Sequence, residues 1–154
     1  MKDTAVQKQR SSNLKISTPK DLVTDFGLAK KLKELGLDLP TFFYYIYFPN
    51  TGKHFIYRNK TAFKTYSHNV NRNIECQLIP APLSEELMNV LPEMYRTYWK
   101  KGKNVDHKTW FCSKGDLSDI NIIIKTGKKE SSARAKMLIH LLENDPEFVP
   151  GTID

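Results

Sequence analysis

The apolar residues near the start of the chain keep a helical rhythm: Leu22, Phe26, Leu28, Leu32 and Leu35 recur at helical spacing, while Lys30, Lys31, Lys33 and Glu34 fill the other side. This pattern predicts an amphipathic helix over residues 22–35. Thr24 suits its N-cap, and Thr18 followed by Pro19 offers a start a turn or more earlier. Gly36 follows the last periodic leucine, where a residue without Cβ accepts the left-handed conformation that closes a helix. The period then changes. Residues 41–48 (TFFYYIYF) are aromatic and β-branched, bounded by Pro40 and Pro49, which predicts a well-buried strand. Pro49, Asn50, Thr51 and Gly52 supply a turn, and residues 54–58 return as the second arm of a hairpin. From residue 59 to 73 the pattern is polar and irregular, with Phe63 and Tyr66 as isolated anchors, and it reads as a long loop with at most one helical turn.

Alternation resumes at residues 74–79, a third strand running into the rigid Pro80, Ala81 and Pro82. A short helix follows. Ser84 suits its N-cap, Glu85 and Glu86 place negative charge at the positive end of the helix dipole, Leu83 is placed to staple onto Met88, and Pro92 ends it. Residues 94–99, 107–112 and 120–124 read as three further strands, joined by short turns that favour antiparallel neighbours. In residues 131–144, Ala133, Met137, Leu138, Leu141 and Leu142 share one stripe, with Ser131 or Ser132 as cap and Pro146 beyond the end. The expected fold class is α+β: a mostly antiparallel sheet of about five to six strands with three helices, in the order α-β-β-β-α-β-β-β-α. The helices at both chain ends are expected to close one interior.

Three segments resemble a family of short proteins of tailed bacteriophages, prophages and related mobile elements. They are LAKKLKELG (residues 28–36), LIPAPLSEELMNVLP (residues 78–92) and SARAKMLIHLLEN (residues 132–144). In that family the middle motif is apolar-Ala-Pro-Thr-Leu before an amphipathic helix ending in Leu-Pro; here Pro82, Leu83 and Ser84 take the place of Pro-Thr-Leu, which moves the capping hydroxyl. The resemblance spans residues 26–144 only in patches. It implies a fold and a genomic setting, with no mechanism and no residue role to carry over.

Composition narrows the function classes. A chain of 154 residues with 40% hydrophobic residues is long enough to bury its own core, and 11% aromatic residues mean that rings dominate the packing. No apolar run approaches the ~20 residues of a membrane span and the first residues lack the apolar stretch of a signal peptide, so a cytoplasmic protein is expected. The net charge of +7 is uneven. Lys2, Lys8, Arg10, Lys15 and Lys20 stand against Asp3 alone in residues 1–20, which reads as a flexible basic tail preceding one domain over residues 21–150.

Catalytic and metal signatures are not found. The glycines are scattered singly, so no phosphate-cradling loop exists. His54, His68, His107 and His140 sit in no triad motif. Cys76 and Cys112 lack zinc spacing and read as free thiols, and His107 and Cys112 point to opposite faces of one expected strand. No cofactor is implied, and an enzyme of unrecognised type is the least supported reading. The richest constellation is aromatic and basic: Tyr44, Tyr45, Tyr47, Tyr57, Arg58, Lys60, Phe63, Lys64, Tyr66, His68 and Arg72. Within it, Tyr45, Tyr57, Arg58, Lys60, Lys64, Tyr66 and Arg72 form the candidate binding surface. Such residues suit single-stranded nucleic acid, with rings beneath bases and cations along phosphates. They equally suit a non-catalytic accessory protein that docks a host or phage protein, the reading that the implied setting favours; a homodimer through a free sheet edge is a special case.

Overall fold

In a computed structural model of the chain, residues 18–101, 108–114 and 123–150 are described. The expected flexible tail lies outside them up to residue 17, but its last three residues do not. Thr18 opens a helical turn, α1 (Pro19–Leu22), where Asp21 Oδ2 accepts from both the Thr18 amide at 3.1 Å and its hydroxyl at 2.9 Å. Val23 then bridges to Leu83, and the buried Thr24 donates through its amide and its hydroxyl to the Pro82 carbonyl. This use takes Thr24 away from the N-cap expected of it, and Asp25 stands before α2 (Phe26–Glu34) instead. One predicted helix is therefore two, because the backbone between them pairs with a distant segment. At the far end Gly36 behaves as expected: at φ +89 it lets its own amide reach Lys33 O and the Leu37 amide reach Leu32 O.

The aromatic strand β1 (Phe43–Phe48) is the centre of a three-stranded antiparallel sheet, ordered β2-β1-β3, with β2 (Lys53–Arg58) and β3 (Gln77–Pro80) at the edges. Its alternation divides the rings between two faces. Phe43 and Tyr45 pack with Val23, Ala29, Ile79 and Ala81 beneath α2, whereas Tyr44 lies against Phe63 with ring centroids 5.2 Å apart.

Phe63 lies on a helix where the sequence pattern predicts a loop. Residues 59–73 are not a loop; α3 (Asn59–Asn71) follows β2 without a linker and packs on the Tyr44 face of the sheet. Ala62 is its only fully buried residue, so the apolar rhythm that marks a helix is nearly absent. Its stop signal is Asn73, at φ 60, whose amide reaches Val70 O while that of Ile74 reaches Asn69 O. Asparagine here does what glycine does after α2.

The chain leaves the first sheet through the buried Pro80, Ala81 and Pro82 and enters α4 (Ser84–Val90). Leu83, not Ser84, is the residue before the helix; its amide donates to Glu86 Oε1 at 2.8 Å, and the Phe42 amide donates to Glu86 Oε2 at 3.1 Å. Glu86 thus joins α4 to the start of β1, beyond the dipole role expected of it. Burial raises its pKa above the ordinary carboxylate value, opposed by these two hydrogen bonds. Met88 is exposed, whereas Leu83 packs against the Tyr45 cluster.

A second antiparallel sheet, β4-β5-β6, is formed by β4 (Tyr95–Lys101), β5 (Lys108–Lys114) and β6 (Ile124–Gly127). The strands expected at 94–99 and 107–112 are β4 and β5, with His107 outside the described residues; of the strand expected at 120–124, residues 120–122 lie outside the described residues, Ile123 is not in a strand, and β6 starts at Ile124 and runs on to Gly127. The sequence pattern predicts one sheet of five to six strands. They divide three and three, because β1 already has a neighbour on each side and β3 ends in prolines that turn the chain away. The class is α+β with antiparallel sheets, and five helices, not three, are seen among the described residues.

The last helix, α5 (Glu130–Asn144), covers the second sheet. Lys129 precedes it, so Ser131 and Ser132 are buried within its first turn and do not cap it. Met137, Leu138 and Leu141 share a cluster with Leu32 and Leu37 from the start of the chain and with Leu87, Val90 and Cys112. The expected single interior is thus shared only in part: Leu28 and Leu32 pack with α5, whereas Phe26 packs in the Tyr45 cluster and Leu22 is exposed. Arg134, 8% exposed, bridges its elements: it donates to Ser84 O and Oγ at 2.9 and 2.6 Å and to Thr97 Oγ1 at 2.7 Å, and pairs with Glu130 at 2.8 Å.

Candidate nucleic-acid interface

Helix α3 turns the candidate basic residues into a pattern. Residues four apart on a helix lie on one side, about 6 Å apart along the axis. Lys60, Lys64, His68 and Arg72 follow this spacing and are all exposed, which gives a stripe that drifts slowly across the solvent side. None of the four has an ion-pair partner among the described residues. The chain carries no acidic residue between Asp38 and Glu75, so local sequence does not neutralise the stripe. Arg58, just before α3, rests over the exposed Phe42 ring at 5.9 Å from its centroid.

Next to the stripe, α3 presents Phe63 and Tyr66 to a groove of about 500 Å³. Buried Tyr44 lies at its base, and its other walls come from Lys33 at the end of α2, from Asp38, Leu39 and Pro40 before β1, and from Cys76, Gln77 and Leu78 at β3. The Lys33 ammonium donates to the Leu78 carbonyl. Phe63 is 49% exposed and Tyr66 half-buried, so both rings offer area to a ligand. Burial raises the Cys76 thiol pKa above its usual value.

Of the sequence candidates, Lys60, Lys64 and Tyr66 lie on α3 and Arg72 directly follows it, with Tyr66 turned about 200° around the axis from Lys64. Tyr57 pairs with Tyr44 in register, which puts it on the same sheet face as that helix, half-buried. Tyr45 does not belong. It is 3% exposed, its hydroxyl donates to Thr24 O at 2.8 Å, and burial with the nearby Asp25 charge pushes its pKa up to about 12. Neighbouring residues of a strand face opposite ways, so Tyr44 and Tyr45 could not both line the groove. Tyr47 and His54 also lie on the Tyr45 face, where His54 stacks on Phe26 at 4.0 Å and Lys30 covers Tyr47 at 4.9 Å.

Sequence reasoning missed Lys33, Asp38 and Gln77, which converge from three separate parts of the chain and carry no motif. The acid-free stretch from Asp38 to Glu75 was the one signal in plain view. Among the described residues no three His, Cys, Asp or Glu side chains gather as a metal site, and no helix is long and apolar enough to cross a membrane. No protein-family model, no curated protein and no solved structure matches this chain.

Proposed function

We propose that the chain is a non-catalytic binding protein that holds single-stranded nucleic acid on α3 and the adjoining aromatic groove. The observation that carries this reading is the acid-free stripe of Lys60, Lys64, His68 and Arg72, without an ion-pair partner among the described residues, with exposed Phe63 one turn from Lys60 and half-buried Tyr66 beyond it. Phosphates supply charge at regular intervals to a row of cations, and bases supply flat rings to an aromatic wall. An acidic protein surface matches the cations but makes no use of the rings. In the phage or mobile-element setting that the sequence resemblance implies, such a protein acts as a small accessory factor.

The test is fluorescence anisotropy of a labelled single-stranded oligonucleotide across a salt series. Affinity is expected to fall steeply with salt, and the triple substitution Lys60→Ala, Lys64→Ala, Arg72→Ala to flatten the log–log slope by about 0.7 for each phosphate that is no longer neutralised. The full chain with Lys2, Lys8, Arg10 and Lys15 changed to Gln is expected to keep binding. Abolished binding in that variant, or undiminished binding in the triple one, refutes the proposal. A nuclease-resistant protein partner that is released by the triple substitution supports the acidic-protein alternative.

A further inference from the structure

The stripe explains attraction to a phosphate backbone but is blind to sequence. The groove beside it is not. We propose that this groove receives one base of the bound strand and prefers guanine, a step that rests on the nucleic-acid reading above and specifies its ligand.

Shape comes first. A groove of about 500 Å³ falls in the range of small-molecule sites, which suits one nucleoside and is too small for a docked helix. Its aromatic surfaces are Tyr44 at the base and Phe63 and Tyr66 on the α3 side, with Phe63 tilted 55° to Tyr44. These are stacking surfaces for a flat ring. Exposed Lys60 lies one turn before Phe63, on the same side of α3, so a nucleotide whose base enters the groove leaves its phosphate near that cation.

Polar lining then sorts the bases. Asp38 is the carboxylate of the groove, and Gln77 is its side-chain amide. A carboxylate offers acceptors only. Guanine is the base whose Watson–Crick edge carries two adjacent N–H donors, at N1 and N2, which a carboxylate can accept together, and its O6 is left for the Gln77 amide or the Lys33 ammonium. Adenine and cytosine each present a ring-nitrogen acceptor at the corresponding place, and thymine and uracil flank a single donor with carbonyls. Each of these leaves acceptor facing acceptor, and a desolvated mismatch of that kind costs more than a missing bond.

The experiment compares a short oligothymidylate with the same strand carrying one central guanine, and alongside it titrates the four free nucleoside monophosphates into the full chain while following protein NMR signals. The guanine strand is expected to bind about tenfold tighter. Asp38→Asn is expected to abolish that preference, read as the ratio of the two strands' affinities for the same variant; Asp38 is exposed, so the variant keeps its fold. Free GMP is expected to shift the Phe63 and Tyr66 signals more than the other three nucleotides do. Equal binding of the two strands, or a preference that survives Asp38→Asn, overturns the inference. If neither strand binds, the stripe reading has failed, and the GMP titration alone decides the groove: selective shifts at Phe63 and Tyr66 uphold it, and none refutes it.

Discussion

Ser131 and Arg134 sit one turn apart on α5 and illustrate opposite fates of a buried polar group. Ser131 is 2% exposed, and its hydroxyl has no hydrogen-bond partner among the described residues. Its desolvation is uncompensated, so Ser131→Ala is expected to stabilise the protein by up to about 1 kcal/mol, read as a higher urea midpoint. Arg134 is fully engaged, and its planar fork reaches α4, β4 and its own helix at once. Arg134→Ala leaves Ser84 and Thr97 without their donor and Glu130 without its cation, with only the Thr97 hydroxyl still donating to Glu130 Oε1 at 3.0 Å. Glu130 is one-third exposed and keeps some solvent, so a destabilisation of about 2–3 kcal/mol is expected, at the lower end for a broken buried pair. Arg134→Lys, with a point charge for a fork, is expected to recover only part of it, and urea unfolding of both variants checks the order.

At the scale of elements, close approach and register decide what forms. β6 meets α5 at Gly127, where an added Cβ would lie 2.8 Å from the Ala133 amide nitrogen and 3.1 Å from Lys129 O. Both are backbone atoms, which do not rotate aside. Gly127→Ala is therefore expected to push β6 from the helix and cost about 1–3 kcal/mol, with hydrogen exchange accelerating first in β6. Elements of this molecule are legible in the sequence where their chemistry is strongly periodic: α5, β1 and the Gly36 closure all follow from it. α3 is not, since a helix that buries one alanine and exposes lysines, threonines and asparagines has little periodic signal. The difference matters for the site. In a loop, Lys60, Lys64 and Arg72 are only a composition; on a helix they are a row. The separation into two sheets is also hidden, because pairing partners far apart in sequence leave no local mark.

Across the whole molecule, α2 joins the two packed regions: Ala29 belongs to the Tyr45 cluster and Leu32 to the cluster under α5. Polar links reinforce that bridge. Lys31 pairs with Glu143 at 3.2 Å, and Asp25 is held by Lys129 at 2.7 Å and by Ser132 at 2.8 Å. Burial tends to raise the Asp25 pKa, but the Lys129 and Ser132 hydrogen bonds and the Lys129 charge outweigh it and hold the carboxyl below its ordinary value. A folded pKa below the unfolded one means that the native state binds the proton less readily. The stability from Asp25 is thus complete well above the unfolded value and disappears as pH falls through the lower folded one. The stability difference between the unaltered chain and Asp25→Asn is expected to be constant above about pH 5 and to shrink below about pH 4, measured by urea unfolding at each pH.

The unequal placement of the two thiols makes the molecule its own reporter. Cys112 is sealed under α5, with burial pushing its pKa to about 11, whereas Cys76 stands in the groove wall and is only half-buried. A maleimide should therefore label one cysteine and spare the other, faster in alkaline buffer because the thiolate is the attacking form. An oligonucleotide seated in the groove should slow that alkylation, giving a footprint of occupancy that needs no engineered probe.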